Sequence, residues 1–187
     1  MPIRPYTNGG AAMHGALVPI ATQTVTNSTT QGIIFSSIPQ VYQDLFMVTY
    51  GRSQRAASTS ETYFYVNNDG GLNYSQTRLY GNGGSALSDR NTNQGIVIYG
   101  EIPAASSTAG IFGANELHIL NYANTSTYKT FLSRNAVDLN GSGYVHLRTN
   151  LWRSTAAISR LDIYNTNAEY FSVGTQISLY GIRTIGQ

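Results

Sequence analysis

Cysteine is absent from this chain of 187 residues. Disulfides and thiolate chemistry are therefore excluded, and the 3 histidines lie too far apart to suggest a zinc site. Stability has to come from packing, and the length suffices, since a domain of this size buries roughly 70% of the surface its unfolded chain exposes. Charge is scarce as well. Charged residues make up 11% of the chain, against about 25% in an average soluble domain. Lys129 is the only lysine and the other basic residues are scattered arginines, so the clustered basic face of a nucleic-acid binder is missing. No run approaches the roughly 20 apolar residues that span a bilayer. Nor does an apolar stretch of signal-peptide length follow Met1-Pro2-Ile3-Arg4-Pro5. Neither a nucleic-acid partner, a membrane partner nor Sec-type export is expected. No window of useful length repeats apolar residues at the helical period.

What remains is a chain rich in Ser, Thr, Asn, 19 Gly and 14 Tyr, with an apolar fraction of 41% and a net charge of +2. That apolar fraction is too high for a disordered segment, so a packed core under a neutral, hydroxyl-rich surface is implied. Strand candidates recur from Gly32 onward, near 32–36, 43–52, 61–67, 74–80, 95–101, 115–122, 127–133, 143–149, 157–164 and 176–183. Alternation is clearest where Leu117 and Ile119 oppose Glu116 and His118, and where Ile177 and Leu179 oppose Gln176 and Ser178. Asn68-Asp69-Gly70-Gly71, Asn82-Gly83-Gly84 and Asn140-Gly141-Ser142-Gly143 supply turn chemistry between them. The stretch Gly81 to Gln94 reads as a long exposed loop. The fold class is all-β: a two-sheet antiparallel β-sandwich, jelly-roll-like, over residues 31–187. Trp152, Phe35, Phe46, Phe64 and Phe131 are the leading core aromatics. Tyr63 and Tyr65 should share one strand face, with Phe64 on the other.

Residues 1–30 differ from the rest. Pro2, Pro5, Pro19, Gly9-Gly10 and a Thr/Asn/Ser run predict an extended N-terminal arm without regular structure of its own. Its apolar residues, Ile3, Tyr6, Met13, Leu17, Val18 and Ile20, predict that it orders against a partner. Arg4, Tyr6, Leu17, Arg52 and Arg55 are the candidate partner contacts.

Catalytic raw material is thin. The nine carboxylates are dispersed, and the best candidate group is Glu116 with His118, two apart on one strand face, with His146 or Asp162 as possible company. No glycine-rich stretch opens a helix after a strand, which removes the nucleotide fingerprints. No catalytic, cofactor-binding or metal-binding residue is assigned, no cofactor is expected, and the chain is not expected to be an enzyme.

Several segments carry a resemblance. Ile38-Pro39-Gln40-Val41-Tyr42-Gln43-Asp44-Leu45, Asn68-Asp69-Gly70-Gly71-Leu72-Asn73-Tyr74-Ser75 and Leu79-Tyr80-Gly81-Asn82-Gly83-Gly84-Ser85 come first. Asn121-Tyr122-Ala123-Asn124-Thr125 with Tyr128-Lys129-Thr130, then Trp152 to Ile158, then Ser178-Leu179-Tyr180-Gly181-Ile182 complete the set. Together, over about residues 32 to 183, they resemble short virion structural proteins of bacteriophages, notably of the cyanophage type. Gly71 stands where that pattern has Thr, and Arg90, Arg134 and Arg160 add charge at positions more often neutral. The resemblance implies a β-sandwich in the virion, on the capsid exterior rather than the tail. The function expected is that of a decoration or cement protein: a homo-oligomer, expected as a trimer, binding the major capsid protein or another virion protein. The alternative is a tail-fibre or baseplate module that recognises host glycan through exposed Tyr and Asn side chains on loops such as 81–94.

Overall fold

A computed structural model describes residues 17–183. The chain forms the two-sheet antiparallel sandwich that alternation predicts. In chain order the strands are β1 (Leu17–Thr24), β2 (Gly32–Phe35), β3 (Asp44–Gly51), β4 (Thr59–Val66), β5 (Tyr74–Gly81) and β6 (Ala86–Gln94). They continue with β7 (Val97–Pro103), β8 (Gly113–Ile119), β9 (Lys129–Asp138), β10 (Gly143–Trp152), β11 (Leu161–Asn165) and β12 (Gln176–Ile182). One sheet has eight strands in the order β1-β12-β3-β8-β9-β10-β5-β6, and the other has four in the order β2-β11-β4-β7.

The core lies between the sheets because strand side chains alternate between faces. Leu45, Met47, Leu117, Ile119, Phe131, Ile177 and Leu179 of the large sheet meet Ile33, Phe35, Phe64, Val66, Val97, Tyr99, Leu161 and Ile163 of the small one. Phe64 is packed edge-on against Phe131, with ring centroids 5.4 Å apart. Buried alongside them, the Tyr99 hydroxyl bonds to Thr49 at 3.0 Å, and burial pushes its pKa up to about 12.

The segments that carry the resemblance fasten loops to this core. Asn67 and Asn68 take the positive φ values of 50° and 60° that a two-residue hairpin turn requires, bridging Val66 to Asp69. The carboxylate of Asp69 then accepts from the Trp152 indole at 2.7 Å, from the Gly71 amide at 2.8 Å and from Asn73 at 3.0 Å. Partial burial pushes this carboxyl up, but those donors outweigh it and hold it below the usual carboxylate range. Trp152 in turn stacks on Tyr74, whose hydroxyl donates to the Asp69 carbonyl at 2.8 Å.

A second clasp forms where the Tyr122 hydroxyl donates to the Pro39 carbonyl and the Ile158 amide donates to the Tyr122 carbonyl at 2.9 Å. Gln40 bonds the Ile158 carbonyl at 2.9 Å, and buried Lys129 donates to the Thr127 and Thr155 carbonyls. Gly181 belongs here because a Cβ at that position would sit 2.2 Å from the ring of Tyr42.

Three expectations need correction. Leu17–Thr24 lies inside the segment expected to be irregular, yet it pairs with β12 from Leu17 opposite Ile182 onward, at the sheet edge where Pro19 and a bulge are tolerated. The stretch read as a long loop at 81–94 is mostly strand, since β6 pairs with β5 from Ala86 to Gln94. Being an almost wholly exposed edge, it shows no apolar alternation to read. Phe46 is not a core residue: it lies half-buried on the outer face of the large sheet, edge-on to His118. Trp152, Phe35, Phe64 and Phe131 are buried as expected.

Candidate functional site

Two places concentrate chemistry, one on each face of the eight-stranded sheet. The outer face is apolar for a solvent-facing surface. Leu79, Leu132, Val145, Leu147 and Tyr50 are all exposed there, Val145 by 66%. Cross-strand register arranges them in rows. The central row runs Ser88, Leu79, Leu147, Arg134, Glu116, Val48, Ser178, Thr22 across the strands from β6 to β1. Flanking it on one side are Val145, Ala136, Ala114 and Tyr50, and on the other Thr149, Leu132, His118 and Phe46.

The only charges near the middle of these rows are internally matched. Glu116 accepts from the Arg134 guanidinium, and His118 Nε2 lies 3.0 Å from Asp44 Oδ2. Three shallow depressions of about 460, 370 and 220 Å³ open around Arg134, lined by Ala114, Ala136, Leu79, Val145, Leu147, Leu132 and Phe46 among others. Exposed apolar side chains contiguous over several strands, with hollows between them, mark a surface suited to contact another protein.

The inner face of the same sheet changes character toward β5 and β6. Here Arg148 and His146 are buried on β10, beside Arg78 of β5, Asp89 of β6, Glu61 of β4 and Glu101 of β7. Arg78 bonds Asp89 through Nε at 3.1 Å and lies 4.3 Å over the ring of Tyr80, which stacks on His146. Arg148 donates to His146 Nδ1 at 3.1 Å, which leaves the imidazole proton on Nε2, 3.7 Å from Glu101 Oε2. Burial, aided by the Arg148 and Arg78 guanidiniums, pushes the pKa of His146 down to about 4. Burial and the neighbouring Glu61 raise that of Glu101, against the pull of Arg148 and Arg78. His146 is thus neutral at ordinary pH, and the carboxylates offset the two guanidiniums.

The candidate acid-base group does not converge. Glu116 and His118 share the outer face as predicted, but each is held by its own partner. His146 points to the opposite face, and Asp162 lies in the other sheet, bonded by Arg160 at 2.7 Å. Among the described residues no cluster of three or more His, Asp or Glu side chains is arranged to hold a metal ion.

Of the candidate partner contacts, Arg4 and Tyr6 lie outside the described residues. Leu17 opens β1 and is 47% exposed at the sheet edge. Arg52 is corrected: it is buried, and its guanidinium caps the carbonyls of Ser107, Thr108 and Ile111, each at 2.9 Å, so it holds a loop of its own chain. Arg55 is half-buried and donates to the Thr59 carbonyl at 3.1 Å. The outer-face residues were missed as a group. Their only sequence signal is the polar and apolar mixture at alternate positions, Leu132-Arg134-Ala136 and Val145-Leu147-Thr149, on strands whose other face is buried. Tyr63 and Tyr65 do share a face, where their rings meet each other and Tyr164 at 5.9 Å. No protein-family model matches the chain, and no curated protein matches it.

Proposed function

We propose that this chain is a phage virion structural protein of the decoration kind, a non-enzymatic block that binds the exterior of an assembled shell and reinforces it. The observation that carries this reading is the exposed apolar outer face of the eight-stranded sheet, where the charges near the middle, Glu116 with Arg134 and Asp44 with His118, are paired within the chain. Such a surface gains by burying area against protein rather than by attracting a charged ligand or substrate. The resemblance to virion structural proteins supports the same reading, because its motifs are spent on fastening loops, as a building block requires. Partners would be the major capsid protein or another virion protein, with further copies of this chain.

The glycan-binding alternative has lost its main structural motive, since most of 81–94 is strand rather than a presenting loop. Particles lacking the protein should release their genome at lower temperature or under milder osmotic shock than complete ones, and adding the purified chain back should restore resistance. Particles equally resistant with and without it would end the proposal. Imaging that placed the chain only at the tail would favour the alternative.

A further inference from the structure

The central row of the outer face has a symmetry that the order of the strands imposes. The large sheet has eight strands, and its midline falls between β8 and β9, where Glu116 and Arg134 sit side by side. A two-fold axis along that midline, lying between two stacked sheets, sets β8 of one copy over β9 of the other and β3 over β10. Heights along the strands are preserved by such an axis. Arg134 therefore faces the second copy's Glu116, so that opposite charge meets opposite charge twice. Leu147 meets the second copy's Val48, Val145 its Tyr50 and Ala136 its Ala114, and Leu132 covers the edge of its His118 ring.

We infer that this face pairs two copies of the chain, sheet on sheet, about a two-fold axis between β8 and β9. Area agrees. Eight strands about 4.8 Å apart and about eight residues long, at roughly 3.3 Å per residue, give a face of roughly 900 Å². A stable complex needs about 800 Å² per partner. Aligned stacking of twisted sheets at about 10 Å separation is an established packing mode. The hollows around Arg134 lie between the ridges of Leu147, Val145 and Leu132, as interdigitation requires. A two-fold contact of this kind is isologous, each copy using the same patch, and it replaces the three-fold association expected from the sequence. The pairing rests on the face that carries the proposed function, with a second copy as the protein that covers it, so a monomer in solution would overturn the pairing while leaving that face free for the shell.

The test uses the full chain in sedimentation equilibrium at micromolar concentration. The wild type should have the mass of a dimer. Arg134→Glu places four carboxylates at the axis and Glu116→Arg places four guanidiniums there, so each variant alone should dissociate at least about 100-fold more readily. Mixed one to one, the two variants should recover the dimer, because each then faces the opposite charge. Arg134 is 74% exposed, and unchanged circular dichroism would show that the variants fold. Should either fail to fold, Leu147→Lys at a half-exposed position serves in its place and should likewise give a monomer. A wild-type monomer or trimer, a dimer indifferent to these changes, or variants that stay apart on mixing would each overturn the inference.

Discussion

Trp152 and Arg148 lie four residues apart on the inner face of β10, and their surroundings deal with buried polar groups in opposite ways. Around Trp152 the donors and acceptors close on one another: indole to Asp69, Tyr74 hydroxyl to the Asp69 carbonyl, and the Val66 amide to the Tyr74 hydroxyl at 3.2 Å. Around Arg148 they do not, since Nε and Nη1 of Arg148, Nε2 of His146 and Oε2 of Glu101 have no protein hydrogen-bond partner. Arg148 lies 3.9 Å from Glu61 and neutral His146 3.7 Å from Glu101, and the directly bonded pair of this region is Arg78 with Asp89, at 3.1 Å. The first region is fixed by short directional bonds with one carboxylate as their hub. The second is held by mutual charge, and so depends on protonation.

The largest effect separating them should come from Trp152→Ala. It removes a buried indole and takes from Asp69 one of its three donors, at a cost of about 3–5 kcal/mol. Urea unfolding should show that loss to be much the same at pH 7 and at pH 5. A loss that changed strongly with pH would break the contrast.

Next comes acid sensitivity of the charged region. His146 takes up a proton near 6.5 when unfolded but only at about 4 when folded. Between those values the unfolded chain binds more protons, so stability falls as pH drops through the window, by up to about 3 kcal/mol. Glu101 opposes this: its raised pKa lets the folded state hold a proton first, which favours the fold as pH falls toward the ordinary carboxylate range. Unfolding free energies measured between pH 7 and pH 4 should therefore decline with acid, and His146→Gln should flatten the decline. An identical slope in the variant would assign the sensitivity elsewhere.

The smallest effect sharpens the first region. Asp69→Asn keeps an acceptor for Trp152 but removes its charge, and should cost about 1 kcal/mol, seen as a melting temperature lower by about 2–4 °C.

The sequence made the sandwich legible where buried strands alternate cleanly. In β8, buried Leu117 and Ile119 alternate with Glu116 and His118, whereas β9, which buries Lys129, Ser133 and Asn135 and exposes Leu132, shows no such pattern in its residue types. It concealed β6, whose residues Ala86 to Gln94 face solvent on both sides and owe their conformation to pairing with β5. It concealed the strand at Leu17–Thr24 for a related reason, because Pro19 reads as a breaker until the chain is known to run along an edge. Arg52 looked available because nothing local shows that three distant carbonyls converge on it. The paired rows of the outer face were beyond reach, since they exist only once seven strand registers are set, four of them between segments distant in sequence. The turn residues were nearly right, with positive φ falling on Asn67 and Asn68 rather than on Gly70 and Gly71.

The position of β12 in the large sheet has one further consequence. It lies between β1 and β3, and Leu17 finds its partner only in Ile182. Pairing across such a separation makes a chain slow to fold, on the scale of milliseconds to seconds. On the ribosome, β1 is made first and has no partner until β12 has emerged. The synthesis of β12, rather than that of β1, then times the completion of this edge of the sheet.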